Sequence, residues 1–341
     1  MTPILENIPL APHSTFRLGG LARYFAEAGS PAAIPELVAF AQKKNLPIHV
    51  LGEGSNTIFS DAAINKFFLK LGFDAIREIR KDQTEVVIEI EAGVSWDKAV
   101  AWSVERGYQG IETLSGIPGT VGAAPIQNIG AYGQEFANVA VEIRAYDIES
   151  SSPIVLRPKD CEFGYRISVF KKSGRGRYII TGVTIRLSLL PPAIPAYPGI
   201  KEKLASEGIS SPSLQDIRRI ILATRAEKLP DPRKYPNVGS FFENPLISQA
   251  QAEKLKRNYP NLPIFPASGG KAKVSAGWLI DACGLKEKDF DHLHVDKRNA
   301  LVLVNDGSAT FQTVIETAQE IIKSVRTKFG IELEIEPDLV S

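Results

Sequence analysis

Several short strings hold side chains fit for chemistry. Residues 163–166 read FGYR. Arg166 in that string could clamp a carboxylate through two parallel N–H bonds, although a structural ion pair is the commoner fate of such a residue. Residues 237–245 read NVGSFFENP. Ser240, between a glycine and two phenylalanines, could donate a proton from a dry wall, but no base adjacent in sequence would activate it. Residues 52–56, GEGSN, follow an apolar run. They offer main-chain amides in a tight turn, the form of a nest for a pyrophosphate. No GK[ST] follows, and Thr57 stands where the third glycine of GxGxxG would be, so neither phosphate-loop signature is complete. Residues 113–133, TLSGIPGTVGAAPIQNIGAYG, contain no charged side chain, five glycines and two prolines. Such backbone suits either a cradle for a flat anionic cofactor or a tightly packed crossover loop. Two separated glycine-rich segments could together hold the two ends of a long dinucleotide such as FAD.

Other chemistries find less support. His292 and His294 form an HLH string, but no cysteine or second histidine cluster complements it at metal spacing, and a structural role is expected. Cys161 and Cys283 are the only cysteines and lie far apart, which suits a reduced compartment. A net charge of +1 marks neither a nucleic-acid nor a membrane-surface footprint. The basic string KKSGRGR (171–177) reads as a solvated turn between strands. No apolar run approaches membrane length. A cytoplasmic monomer that binds neither nucleic acid nor membrane is expected.

The elements that must position these groups are legible from periodicity. Ser30-Pro31 and the apolar residues Ile34, Leu37, Val38 and Ala41 predict a capped helix, and IHVL (48–51) a short buried strand. Residues 86–93 alternate as a strand, and 95–107 read as a helix with a serine start and a glycine stop. Residues 139–147 and 178–188 read as strands of one sheet. Pro191, Pro192, Pro195 and Pro198 make a stiff, extended segment, a linker or a loop held over a surface. Beyond it, helices are predicted at 213–228 and 275–284, a buried strand at 300–305, and a long amphipathic helix at 308–329 stopped by Gly330. The second half therefore has its own core, in a smaller α+β domain. The last residues are expected to fray.

Taken together, GEGSN, IPGTVGAAPIQNIGAYG, FGYR, KLPDP (228–232), GSFFENP and AGWLID (276–281) occur in one order over nearly the whole chain. In this they resemble the UDP-N-acetylenolpyruvoylglucosamine reductases, flavoenzymes of peptidoglycan synthesis. The resemblance implies a mixed α+β fold: an FAD-binding domain of the vanillyl-alcohol oxidase/p-cresol methylhydroxylase type over residues 1–190, a proline-rich lid or linker over 191–212, and a substrate-binding domain over 213–341. It implies that NADPH reduces FAD, and that the enolpyruvyl UDP-N-acetylglucosamine then takes up the hydride and a proton. Arg166, Ser240 and Asp338 match the catalytic positions. Gly52, Glu53, Gly54, Ser55, Asn56, Gly116, Gly119, Gly122, Gln127, Asn128, Gly130 and Tyr132 match the FAD site. Tyr197, Lys228, Asn244, Lys286 and Asn299 match the UDP-sugar site, with Tyr197 resembling the tyrosine of a loop that folds over the substrate in one subtype.

The chain departs from the pattern at its end. The family carries a glutamate in LEPEV where this chain has IEPDL, so the aligned residue is Asp338, one methylene shorter. Asp338 could serve through a local backbone shift, Glu336 could substitute, or the enzyme could be weakened. Asn299 stands where glutamine is common, and Ile167 where an acid is common. Two alternatives to the reductase follow: a flavin oxidase of the same cofactor fold, and an impaired UDP-sugar binder.

Overall fold

The computed structural model describes residues 2–267 and 269–341. The chain divides into two compact units. The first comprises residues 1–8, 22–53 and 65–225, and the second 9–21, 54–64 and 226–341. The second therefore takes in two excursions from the N-terminal region, which no reading of contiguous segments foresees. The division at 225/226 also lies beyond the proline-rich segment, the boundary expected from composition.

In the first unit one sheet runs in the order Ile4–Pro9, Leu21–Ala28, Ile64–Leu71, Ile48–Leu51. Helix α1 (Ile34–Lys43) buries Ile34, Leu37, Val38 and Ala41, which join Tyr24, Phe67 and Leu69 of the strands in one core. The IHVL strand lies at the sheet edge, so only Leu51 is buried and Val50 faces outward. That corrects the expectation of a buried strand.

A second, antiparallel sheet runs Ser152–Leu156, Ala140–Asp147, Tyr178–Ser188, Glu85–Glu91, Ile76–Lys81. Helix α2 (Trp96–Glu105) places Trp96, Ala99, Val100 and Val104 in the same core as Ile88, Ile90, Val183 and Ile185. Trp96 is 1% exposed, and its burial alone contributes roughly 2–3 kcal/mol. Two further helices follow, α3 (Pro198–Ser206) and α4 (Leu214–Lys228). Nine residues of the segment 191–212 expected as a lid or linker are thus helical. Pro198 occupies the first turn, where its missing N–H costs nothing, and Ile200 and Leu204 of α3 pack on Ile217, Ile220 and Ile221 of α4.

The second unit holds α5 (Gln249–Asn258), α6 (Ala276–Ala282) and α7 (Phe311–Phe329). Thr310 caps α7 by accepting the Thr313 N–H, and Gly330 ends it at φ +68°. Its apolar stripe of Val314, Ala318, Ile321 and Val325 packs with Leu279, Ile280, Leu303, Phe241 and Phe242. Short strands accompany the helices, including the parallel pair Thr57–Phe59 and Asp338–Val340. The chain end is therefore hydrogen-bonded into a sheet, not frayed. Among the described residues no helix is long and apolar enough to cross a membrane.

Candidate active site

The glycine-rich segment 113–133 lies wholly in the first unit, with Gly52 and Glu53 of the GEGSN string. Much of its glycine content answers to close packing within the protein. A Cβ at Gly122 would stand 2.8 Å from that of Ala92, and one at Gly52 would stand 2.9 Å from Thr120 Oγ1. At Gly116 (φ +71°) it would meet Leu222 Cδ2 at 2.8 Å. The segment's own backbone is tied down: Gly119 N–H donates to Glu53 Oε2 at 2.9 Å, and Gly122 N–H to the Ala92 carbonyl at 2.9 Å. Glu53 is thus committed to the loop that faces it. Asn128 is committed as well. Its amide donates to Glu135 Oε2 (2.8 Å) and to the Gly164 carbonyl (3.1 Å), and its oxygen accepts from Ala137 N–H (2.9 Å). The packed-loop reading is realised, and a tightly packed loop is also a rigid one. Its uncharged donor set fits a flat anionic cofactor, since the nearby carboxylate of Glu53 already has its donor.

Arg166 sits at the tip of a tight turn closed by Gly164 and Ile167, which exchange main-chain hydrogen bonds of 3.0 and 3.2 Å. Its own φ is +55°, a strained region for a branched-chain or long side chain and one that clusters at functional sites. Nη1 reaches the Gly130 carbonyl at 3.5 Å, two residues from Tyr132. Tyr132 also has positive φ, +52°, at the turn of the hairpin Gly130–Ala131/Gln134–Glu135. Its ring packs edge-on against Tyr197, with centroids 5.2 Å apart. Burial pushes the Tyr132 phenol up, while the charge and hydrogen bond of Arg225 act against it.

Sequence reasoning missed Asp97, Arg218 and Arg225, which anchor this half. Arg218 donates two bonds to the Asp97 carboxylate, at 2.6 and 2.8 Å, and Gly116 N–H donates a third at 2.6 Å. Burial raises the Asp97 pKa, but these bonds outweigh it and hold the acid below the usual range. Arg225 Nε donates to the Gly116 carbonyl at 3.1 Å. Burial lowers the Arg225 pKa, and Tyr132 and Asp97 oppose it. The spacing of Arg218, Leu222 and Arg225 (i, i+4, i+7) on α4 was the available signal.

In the second unit Ser240 lies in an extended segment between two others. It bridges Val302, while Phe241 N–H donates to the Leu301 carbonyl (2.7 Å) and Phe241 carbonyl accepts from Glu336 N–H (3.0 Å). Gly239, at φ +74° with its N–H on Asn237 Oδ1 (2.9 Å), makes the turn that leads in. Phe241 and Phe242 are both fully buried, so the serine between glycine and phenylalanine is held at the rim of a core while remaining half-buried itself. Asp338 is half-buried and Glu336 only 8% exposed. Gly54, Ser55 and Asn56 belong to this unit too, so the division between the units falls within the GEGSN string. Gly54 has φ +63°, and a Cβ there would overlap the His13 carbonyl. Asn244 Oδ1 accepts the first N–H of α6, from Ala276 at 2.9 Å. Asn299 Oδ1 accepts Leu301 N–H at 3.1 Å, and Lys286 lies 3.6 Å from Asp281. Lys228 ends α4, before the turn in which Asn237 donates to the Pro230 carbonyl at 3.2 Å. His292 of the HLH string pairs with Asp306 at 2.9 Å, a structural contact.

Comparison with known proteins places these features in one family. Residues 22–149 match the model of an FAD binding domain, and residues 231–340 that of the UDP-N-acetylenolpyruvoylglucosamine reductase C-terminal domain. The chain is 41% identical over 334 residues to the UDP-N-acetylenolpyruvoylglucosamine reductase of Pseudomonas aeruginosa, covering 98% of each chain. It is 39% identical over 332 residues to that of Chromobacterium violaceum, covering 97% of each. Among solved structures it shares its fold with the reductase of Thermus caldophilus (TM-score 0.70, 21% identity, all of both chains). The fold likeness extends to p-cresol methylhydroxylase (TM-score 0.50, 12% identity, 98% of this chain and 84% of the other). Identity of this extent over both full lengths shows that the chain belongs to the UDP-N-acetylenolpyruvoylglucosamine reductase family.

Proposed function

We propose that the chain reduces the enolpyruvyl group of UDP-N-acetylglucosamine enolpyruvate to give UDP-N-acetylmuramate for peptidoglycan synthesis, with FAD as cofactor and NADPH as donor. The observation that carries this reading is identity across both family domains, 41% over 98% of the chain, and the ordered strings that hold Arg166, Ser240 and Asp338 support it.

Main-chain groups of residues 52–56 and 116–132 would hold FAD, with Gln127 as a polar contact. Glu53 and Asn128 hold the loop through their side chains. When bound, FAD supplies the hydride that adds to the terminal enolpyruvyl carbon. The rest falls to the chain's own residues. Charge develops on the substrate carboxylate as the neighbouring carbon becomes enolate-like, so a cation there lowers the barrier more than it favours the ground state. Arg166 is that cation, and Asp338 completes the carboxylate site. Ser240 Oγ donates the proton to the carbon next to the carboxylate. A weak acid suffices because the carbon is a strong base at that moment. Lys228, Asn244, Lys286 and Asn299 bind the UDP-sugar, and Tyr197 closes over it as a lid.

The test is product analysis. Incubation with NADPH and enolpyruvyl UDP-N-acetylglucosamine should yield a UDP-sugar heavier by two hydrogens. Hydrogen peroxide in place of that product would indicate a flavin oxidase instead.

A further inference from the structure

Gly116 is held through both its main-chain N–H and its carbonyl by contacts that lead to one helix. Its N–H is bonded to Asp97, which α4 grips through the fork of Arg218, and its carbonyl takes a bond from Arg225 two turns further along α4. Leu222, between the two arginines, fills the space where a side chain at 116 would be. Arg225 does not stop at Gly116. Its charge also acts on the Tyr132 phenol, whose ring packs against the apolar face of α4 and is the surface on which Tyr197 rests edge-on.

Tyr197 has a second attachment to the same helix. It immediately precedes α3, whose Ile200 and Leu204 pack on Ile217, Ile220 and Ile221 of α4, with Tyr132 against the same cluster. Both supports of this tyrosine therefore lead to α4, which the Asp97–Arg218 pair ties to α2. The Arg218 side chain is 18% and the Asp97 side chain 36% exposed, and the two-bond fork distinguishes this partly enclosed pair from a loose surface contact.

We propose that Asp97 and Arg218 are positioning residues for substrate binding: they fix α4 against Gly116 so that Arg225 and Tyr132 hold Tyr197 in its substrate-receiving orientation. Neither touches the reacting atoms. The inference rests on the reading of Tyr197 as a substrate lid.

A double-mutant cycle read by equilibrium binding tests it. Oxidised, FAD-loaded protein is titrated calorimetrically with enolpyruvyl UDP-N-acetylglucosamine without NADPH, so that no turnover occurs. Asp97→Asn should weaken binding about fivefold or more, and should change it less than about twofold when Tyr197→Ala is already present, as expected of groups in one network. Arg218→Lys, which keeps the charge and loses the fork, should behave in the same way and serves if Asp97→Asn fails to load FAD. Equal weakening in both backgrounds, or unchanged binding by FAD-loaded Asp97→Asn, would overturn the proposal. Failure of Tyr197→Ala alone to weaken binding would remove the lid and the proposal with it, while leaving the reductase reading intact. Failure of the unmutated protein to bind the ligand would instead sink the reductase reading.

Discussion

Asp338 donates its main-chain N–H to the carbonyl of Asn56 at 2.9 Å, and the Asn56 side chain returns a bond to the Glu336 carbonyl at 3.3 Å. The shorter acid at the end of the chain is therefore carried on a paired strand, fixed to residues that directly follow the Gly54 turn. Glu336 is nearly excluded from solvent while Asp338 is half-buried. Of the two carboxylates, Asp338 is the one more accessible to a ligand. Asp338→Ala should lower turnover at least about a hundredfold, the scale of losing one group that stabilises developing charge. Steady-state kcat checks it, and near-wild-type turnover would take Asp338 out of the mechanism.

Ser240 should separate the two half-reactions. Ser240→Ala should leave the rate of flavin bleaching by NADPH within about twofold, and slow reoxidation by the enolpyruvyl substrate by about a hundredfold or more. Stopped-flow absorbance of each step distinguishes this from a general loss of activity. Equal slowing of both steps would assign Ser240 to structure.

Two glycines of similar φ should respond unequally to alanine. Gly133 (φ +88°) has open space around its missing Cβ, so Gly133→Ala should cost only the backbone strain, about 1–2 kcal/mol. Gly54 has the same strain, and its Cβ would also overlap the main-chain carbonyl of His13. Gly54→Ala should cost more, by a further ~1–3 kcal/mol. Denaturant midpoints of the two variants check the order, and equal loss would contradict the packing described for Gly54.

The pH dependence of stability should show the Asp147–Arg177 pair. Arg177 donates two bonds to Asp147, at 2.9 and 2.7 Å, and holds its pKa down at about 2. An acid depressed in the folded state stabilises above its unfolded pKa of about 3.9 and loses that contribution as pH falls toward its folded value. Asp147→Asn should therefore flatten the decline of Tm between about pH 4 and pH 2 without steepening it elsewhere. An unchanged acid limb would show that the pair contributes nothing to it.

The fold was readable where periodicity was long. The apolar stripe of α7 and its glycine stop, the Trp96 helix and the paired strands at 140–147 and 178–188 all follow from residue spacing. What could not be read were features that depend on distant pairing. The strand Asp338–Val340 has only three residues and exists because Thr57–Phe59 lies beside it. The proline-rich stretch hid α3, because Pro198 looks like a breaker in sequence and serves as a first-turn residue in the fold. The residue types at 166, 240 and 338 were visible through the family's ordered strings. The Asp97–Arg218–Arg225 network was not, since the helical spacing of the two arginines marks a shared face of α4 but not the partner 121 residues away.

The central claim is best tested by anaerobic absorbance of the purified, FAD-loaded protein through both half-reactions. The yellow protein should bleach on addition of NADPH, and stoichiometric enolpyruvyl UDP-N-acetylglucosamine should restore the colour without oxygen. A protein that bleaches but is not reoxidised by that substrate would contradict the reductase assignment.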